Sequence, residues 1–442
     1  MKRKILKKAG ILVFAAALTV ASAPVSAVWG YETAAAAEEE KDDAAVVNNG
    51  GRFVSCNGNT YYWRFAPGSI SQTGVLGSFN QVEGVSNTLI CRNAAGEETE
   101  LIQDTGTGPL FISGGRIYYE KGYSSWGVCQ LNGEPVTSYD SVNVLEALPQ
   151  QEAVIAQDYS RGILVIAADG SETVLAPAES SYIGVFDGSM YYGVASDNRM
   201  DIYCISLDGN NQTAVGSVVM PQDYGDFGML SIGDTLMQND GIYFTCGFYG
   251  GTGNFFSAGG VYRIGYDGSF ATLLDPSGSQ QINFPKIYIQ ETDGVSTLYY
   301  YSGDGYSNAG SWDGWVSEDV YGMNLETGET APSSFVLSDI GDIVCMDGSI
   351  QTLTDSSGQY KVVLSKEAGA SLGYTDIGGH SGNGETFVAD LDIVDDTAYF
   401  TITKMTEDPS ASVGWRTGYS RESMKTYMTQ LGTDEVTLLN EY

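Results

Sequence analysis

The side chains able to do chemistry are unevenly supplied. The 442 residues include one histidine, His380, set in Gly378-Gly379-His380-Ser381-Gly382. A Ser-His-Asp triad would have to use it, and a lone histidine in a Gly/Ser stretch reads first as a loop residue. Histidine-rich metal sites are excluded by that count, and no Cys-x-x-Cys pair offers a zinc site. No Gly-x-x-x-x-Gly-Lys loop is present to cradle a phosphate. Carboxylates are plentiful at 55, and glycoside hydrolysis needs only a well-spaced pair of them. Asp293, Asp304, Asp313, Glu318 and Asp319 are therefore the acids to watch. They are the basis of an alternative reading as a carbohydrate-active enzyme, although a sialidase-type Asp-box is missing. Asp304-Gly305 with Asn308 and Asp313 is also the stretch best supplied with oxygen ligands for calcium, without the spacing of an EF-hand loop. No other cofactor is expected.

Aromatic residues gather in the longer connections between apolar segments. Residues 247–260 carry Phe248, Tyr249, Phe255 and Phe256; residues 302–317 carry Tyr306, Trp312 and Trp315; residues 407–423 carry Trp415 and Tyr419. Residues 64–86 form a fourth long connection. Gly, Ser and Asn interleaved with Tyr and Trp is the composition of binding loops. Flat rings can stack on sugar faces, or fold back to cap their own loops. As ligand contacts the sequence nominates Trp312, Trp315, Trp415, Phe255, Phe256, Tyr249 and Tyr306.

The elements that must hold these loops repeat. A turn followed by a short apolar-aromatic strand occurs at Asn59-Thr60-Tyr61-Tyr62-Trp63, Gly115-Arg116-Ile117-Tyr118-Tyr119, Asp187-Gly188-Ser189-Met190-Tyr191-Tyr192, Asp240-Gly241-Ile242-Tyr243-Phe244, Ser296 to Tyr300 and Asp396 to Phe400, with weaker copies at Glu152 to Ile155 and Asp347 to Ile350. Each is followed by a strand, a tight turn and another strand, most clearly from Val261 to Ser269. The repeats are 36–56 residues apart. Four short strands per unit cannot bury both faces of their sheet alone, and radial packing of such sheets is a propeller. The expected fold is one all-β propeller over 51–442 with eight four-stranded antiparallel blades, seven if the weak third or seventh unit is not a blade. These turn-and-core motifs resemble those of bacterial secreted propellers of a domain-of-unknown-function family, distantly similar to YWTD and TolB-type repeats. The resemblance implies fold and export and assigns no catalytic or binding residue.

Residues 1–27 read as a secretory signal peptide. Lys2, Arg3, Lys4, Lys7 and Lys8 open it, an apolar stretch follows from Ile11 to about Val20, and Val25-Ser26-Ala27 fits a cleavage site. Residues 28–50, Ala-rich and then acidic, read as a linker. Cleavage would remove five of the 21 basic residues and no acid, leaving 16 against 55 and a net charge of −39. Such a surface repels nucleic acid and anionic membranes. Six cysteines, tens of residues apart and mostly in strand patterns, read as core thiols rather than a disulfide framework. The expected protein is secreted, extracellular or surface-associated, and non-catalytic. It would act as a binding or scaffold protein for an extracellular glycan or protein, with no nucleic-acid partner and no membrane insertion of the mature chain.

Overall fold

The computed structural model describes residues 46–442 apart from 76–81, 83, 123, 222–228, 251–254, 278–281, 293, 303–319, 334–341, 347–350, 355–359, 366–385, 414–417, 432 and 434. The turns are where the sequence puts them. Asn57-Gly58 and Asp187-Gly188 both take positive φ at consecutive residues, the two-residue turn whose twist matches paired strands. Strands between such turns form antiparallel sheets in chain order. The second unit pairs Leu110–Ser113, Arg116–Gly122, Ser125–Gln130 and Pro135–Asp140. The third pairs Val142–Leu148, Ala153–Asp158, Gly162–Ala167 and Glu172–Ala176. The first, fourth, fifth, sixth and last units repeat this order, and one pair, Gly259 with Ile282, joins the fifth sheet to the sixth.

The core lies between sheets, as period-two alternation requires. In the third unit Val154 and Ala156 face the second unit, with Phe111, Tyr118 and Trp126. Ala153 and Ile155 face the fourth, with Met190, Tyr192 and Ile205. Further clusters join the first unit to the second, the fourth to the fifth and the fifth to the sixth. The first strands of neighbouring units touch along the inside: Phe53–Cys56 with Leu110–Ser113, the latter with Val142–Leu148, and Met229–Gln238 with both Ser180–Phe186 and Ile282–Thr292. Thr386–Val394 of the last unit returns to Phe53–Cys56. Sheets stacked side by side around their first strands, the last packed on the first, make a β-propeller.

Three details depart from the sequence reading. The third unit is a complete four-stranded antiparallel sheet, with bulges at Val144–Glu146 and Ile163–Leu164: small and branched residues fill its core where the other units use aromatics. The seventh is not. Asp342–Met346 runs parallel to Tyr360–Ser365, with Gln351–Thr354 antiparallel on the other side of the latter. The fold also begins before Gly51. Val46–Val47 pairs with Ser55 and Cys56, and Asn49 acts as a strand partner, donating from Nδ2 to the Ile112 carbonyl (2.8 Å) and accepting at Oδ1 from its N–H (2.7 Å).

Candidate functional site

In this topology the connection from second to third strand, and that from fourth strand to the next unit, emerge on one face of the ring. In the third unit the former is tight, its ladder closing at Asp158–Gly162. Of residues 247–260, expected as a loop, 247–250 and 255–260 instead extend the fifth unit's hairpin. Its ladder runs from Gly241–Gly265 to Gly250–Phe255, with a register shift between Cys246 and Phe248. Within 407–423, Glu407 and 418–423 likewise continue the last unit's hairpin, whose ladder runs from Thr397–Gln430 to Glu407–Tyr419, with a 3-10 turn at Pro409–Ala411 beyond it. Glycine-rich composition suggests a loop, but the strands pair there and the ladder continues past the blade body.

The strand register sets Tyr249 opposite Phe256, with Phe255 beside them opposite Gly250. Phe248, from the same stretch, is buried in the core. Trp312, Trp315, Tyr306, Trp415, Asp304 and Asp313 lie outside the described residues, as do His380, Asp293, Glu318 and Asp319. One Gly-x-Ser-x-Gly spacing does occur, Gly369-Ala370-Ser371-Leu372-Gly373. It too lies outside the described residues, and such a match has meaning only on a strand-turn-helix. Among the described residues no group of three or more His, Cys, Asp or Glu is placed to hold a metal. Cys56, Cys91, Cys129, Cys204 and Cys246 carry free thiols. Burial pushes Cys129 up to about 12, which suits an inert core thiol.

Also on this face is the seam where the ring closes, which the sequence did not reveal. Among the described residues the main strands of the first and last sheets do not pair with one another there, and a single short strand of the first unit crosses into the last sheet. Phe53 stacks on Tyr399 at 4.3 Å between ring centres, and Asn48 Nδ2 donates to Asp392 Oδ1 at 2.6 Å. A short strap from the first unit, Thr73–Val75, pairs with Gly418–Ser420 of the last unit's hairpin. Beside it the Arg421 N–H donates to the Gln72 carbonyl (2.8 Å) and Arg421 Nη2 to the Ile70 carbonyl (3.0 Å). Further along, Asn440 Nδ2 donates to the Phe65 carbonyl (3.2 Å), and Tyr442 meets the Phe65 ring edge-on.

A narrow cleft opens in the seam. Trp63 and Phe65 line one side, Thr401, Thr426 and Tyr442 the other, and Arg52 one end. Its hydroxyls form a chain: Thr401 Oγ1 bonds Thr426 Oγ1 at 2.9 Å, and Thr426 bonds the Tyr442 phenol. Behind Trp63, Asp104 accepts from Tyr119 (2.9 Å) and pairs with Lys121 (3.0 Å). Burial would raise the Asp104 carboxyl, but hydrogen bonds from Thr105, Lys121 and Tyr119 outweigh it and hold the group below its ordinary value. Aromatic walls with a hydroxyl chain can bind a polar group. Among the described residues the cleft pairs no nucleophile with a base.

No protein-family profile and no curated protein matches the chain. Solved propeller structures do. One is the β-propeller domain of the Trilobed protease from Pyrococcus furiosus, described as having an open velcro topology, at 12% identity over 91% of this chain and 99% of that one (TM-score 0.35). Another is TolB from Acinetobacter baumannii, at 13% over 86% and 81% (0.29). The nidogen/laminin complex aligns at 13% over 59% and 90% (0.26). At such identities and scores no ligand or activity passes from these proteins to this chain, and the propeller rests on its own sheets.

Proposed function

We propose that the chain is an exported, non-catalytic binding or scaffold protein that presents the long-hairpin face of its propeller to an extracellular glycan or protein. The observation that carries this reading is the pair of extended hairpins. The fifth and last units continue their ladders well past the point where the third unit turns, and both emerge on the same face. Paired strands hold side chains at fixed spacing, which lowers the ordering cost of binding. Tyr249, Phe255 and Phe256 belong to one hairpin; Trp415 comes, by sequence, from the connection in the last unit. Tyr306, Trp312 and Trp315 come from the connection in the sixth unit. The ring is read as eight blades, with 342–365 as the seventh. The basic and apolar start of the chain supports export. Its net charge of −34 disfavours nucleic acid.

The test is a glycan array and, in parallel, pull-down from the native cell surface, both with residues 38–442. Replacing Phe255 and Phe256 together, or Trp312 and Trp315 together, with alanine is expected to weaken binding by about tenfold or more, the scale of lost aromatic anchors. Binding that ignores both double variants would remove the site from this face. Turnover of a glycan that is lost on replacing Asp304 or Asp313 would favour carboxylate chemistry instead.

A further inference from the structure

Nine buried side-chain nitrogen or oxygen atoms have no hydrogen-bond partner among the described residues. Five of them fall along the seam between the first and last units: Trp63 Nε1, Ser69 Oγ, Ser71 Oγ, Thr403 Oγ1 and Arg421 Nε. Native interiors leave few such groups unpaired, so their concentration in one interface calls for a partner.

Arg421 is the centre of the group. It is 5% exposed. Its Nη2 donates to the Ile70 carbonyl, its Nη1 only to the Met424 sulfur at 3.8 Å, and its Nε to nothing. In a chain with 55 acids and 21 basic residues, a guanidinium should find a carboxylate easily. Arg64, Arg92, Arg161, Arg199 and Arg263 all do. Among the described residues Arg421 does not, and burial lowers its pKa with no opposing charge. Burying an uncompensated charge is among the most costly arrangements a fold can hold. The unpaired hydroxyls belong to residues next to, or opposite, the groups that Arg421 bonds. Ser69 and Ser71 flank Ile70, whose carbonyl takes Nη2. Thr403 stands opposite Met424, whose sulfur takes Nη1.

We propose that this seam binds a small anion, a carboxylate or an inorganic oxyanion, between the Ser69-Ile70-Ser71 stretch and Arg421. Arg421 Nε is a donor only, and the three hydroxyls can each donate. A group with two or more acceptor oxygens answers all of them and neutralises the guanidinium. The way in is the strap Thr73–Val75, held to the hairpin by three residue pairs. The site is separate from the hairpin aromatics and stands whether or not they bind a ligand.

Thermal unfolding of the full chain, in sodium acetate or sodium phosphate against sodium chloride at matched ionic strength, tests this. Because an anion that binds only the folded chain stabilises it by mass action, a saturable rise in Tm of about 3 °C or more is expected with at least one anion. A response to acetate alone assigns an organic carboxylate; a response to phosphate alone assigns an oxyanion. Arg421→Met should abolish the rise. Should that variant fail to fold, Ser69→Ala with Ser71→Ala keeps the guanidinium and should weaken the apparent anion affinity about tenfold. A wild-type Tm that follows ionic strength alone would overturn the proposal and leave water in the seam. So would an undiminished response in either variant.

Discussion

Glu146 lies on the inner strand Val142–Leu148, 6% exposed, with the Tyr182 phenol of the next unit donating to it. Burial pushes its pKa up to about 7 from 4.5, and the tyrosine hydrogen bond only partly opposes this. A folded pKa above the unfolded one favours folding fully while both states are protonated, below about pH 4.5. That contribution fades as pH rises through about 7. The difference amounts to about 3 kcal/mol at most. Glu146→Gln is therefore expected to match wild type near pH 4.5 and to exceed its stability at pH 8 by up to that amount, in denaturant titrations at the two pH values. Asn49 makes a different demand. Its amide completes the edge of Leu110–Ser113 by bonding both backbone groups of Ile112. Asn49→Ala leaves those groups unpaired and should cost about 1–3 kcal/mol in the same titration. Neither residue stood out in the sequence. A glutamate in an alternating strand looks solvated until a neighbouring sheet covers it, and Asn49 sat in a stretch with no periodicity.

At the scale of the element, the third unit shows what a repeat needs. Its sequence copy, Glu152-Ala153-Val154-Ile155, lacks the paired aromatics of the others and read as weak. Its alternation is nevertheless intact, and Val154 and Ile155 are each fully buried against opposite neighbours. Ile155→Ala should destabilise the whole ring by about 2–5 kcal/mol, the cost of a core cavity, measured as a shift in denaturation midpoint with unchanged slope. Most of the fold was legible because strand period and Asp-Gly or Asn-Gly turns are local signals. The extended hairpins were not, because glycine-rich segments such as 247–260 pair only when the partner strand is in place. The seam was invisible for a stronger reason: Ile70 and Arg421 are 351 residues apart, and nothing in either segment names the other.

For the molecule as a whole, charge and closure set the behaviour. A net charge of −34 makes the compact state repel itself. The Debye length falls from about 30 Å at 0.01 M salt to about 10 Å at 0.1 M. The Tm at pH 7 is accordingly expected to rise across that range of sodium chloride; a flat profile would show that the charges are spaced widely enough not to matter. Closure has a separate consequence. Many rings are locked by a blade whose main strands come from both ends of the chain; here the four main strands of the first and last units each come from neighbouring sequence, and the three-residue strap Thr73–Val75 is what crosses from the first unit into the last sheet. The four main strands of each blade can therefore pair as they emerge during synthesis or transport, leaving only the strap Thr73–Val75 to wait for the last residues. Such pairings are of low contact order, which favours fast folding. Until residues 386–442 arrive, Phe53, Tyr62 and Ile90 have no cover from Val394 and Tyr399. For that interval the half-made chain presents a sticky flank, the surface on which a chaperone would act.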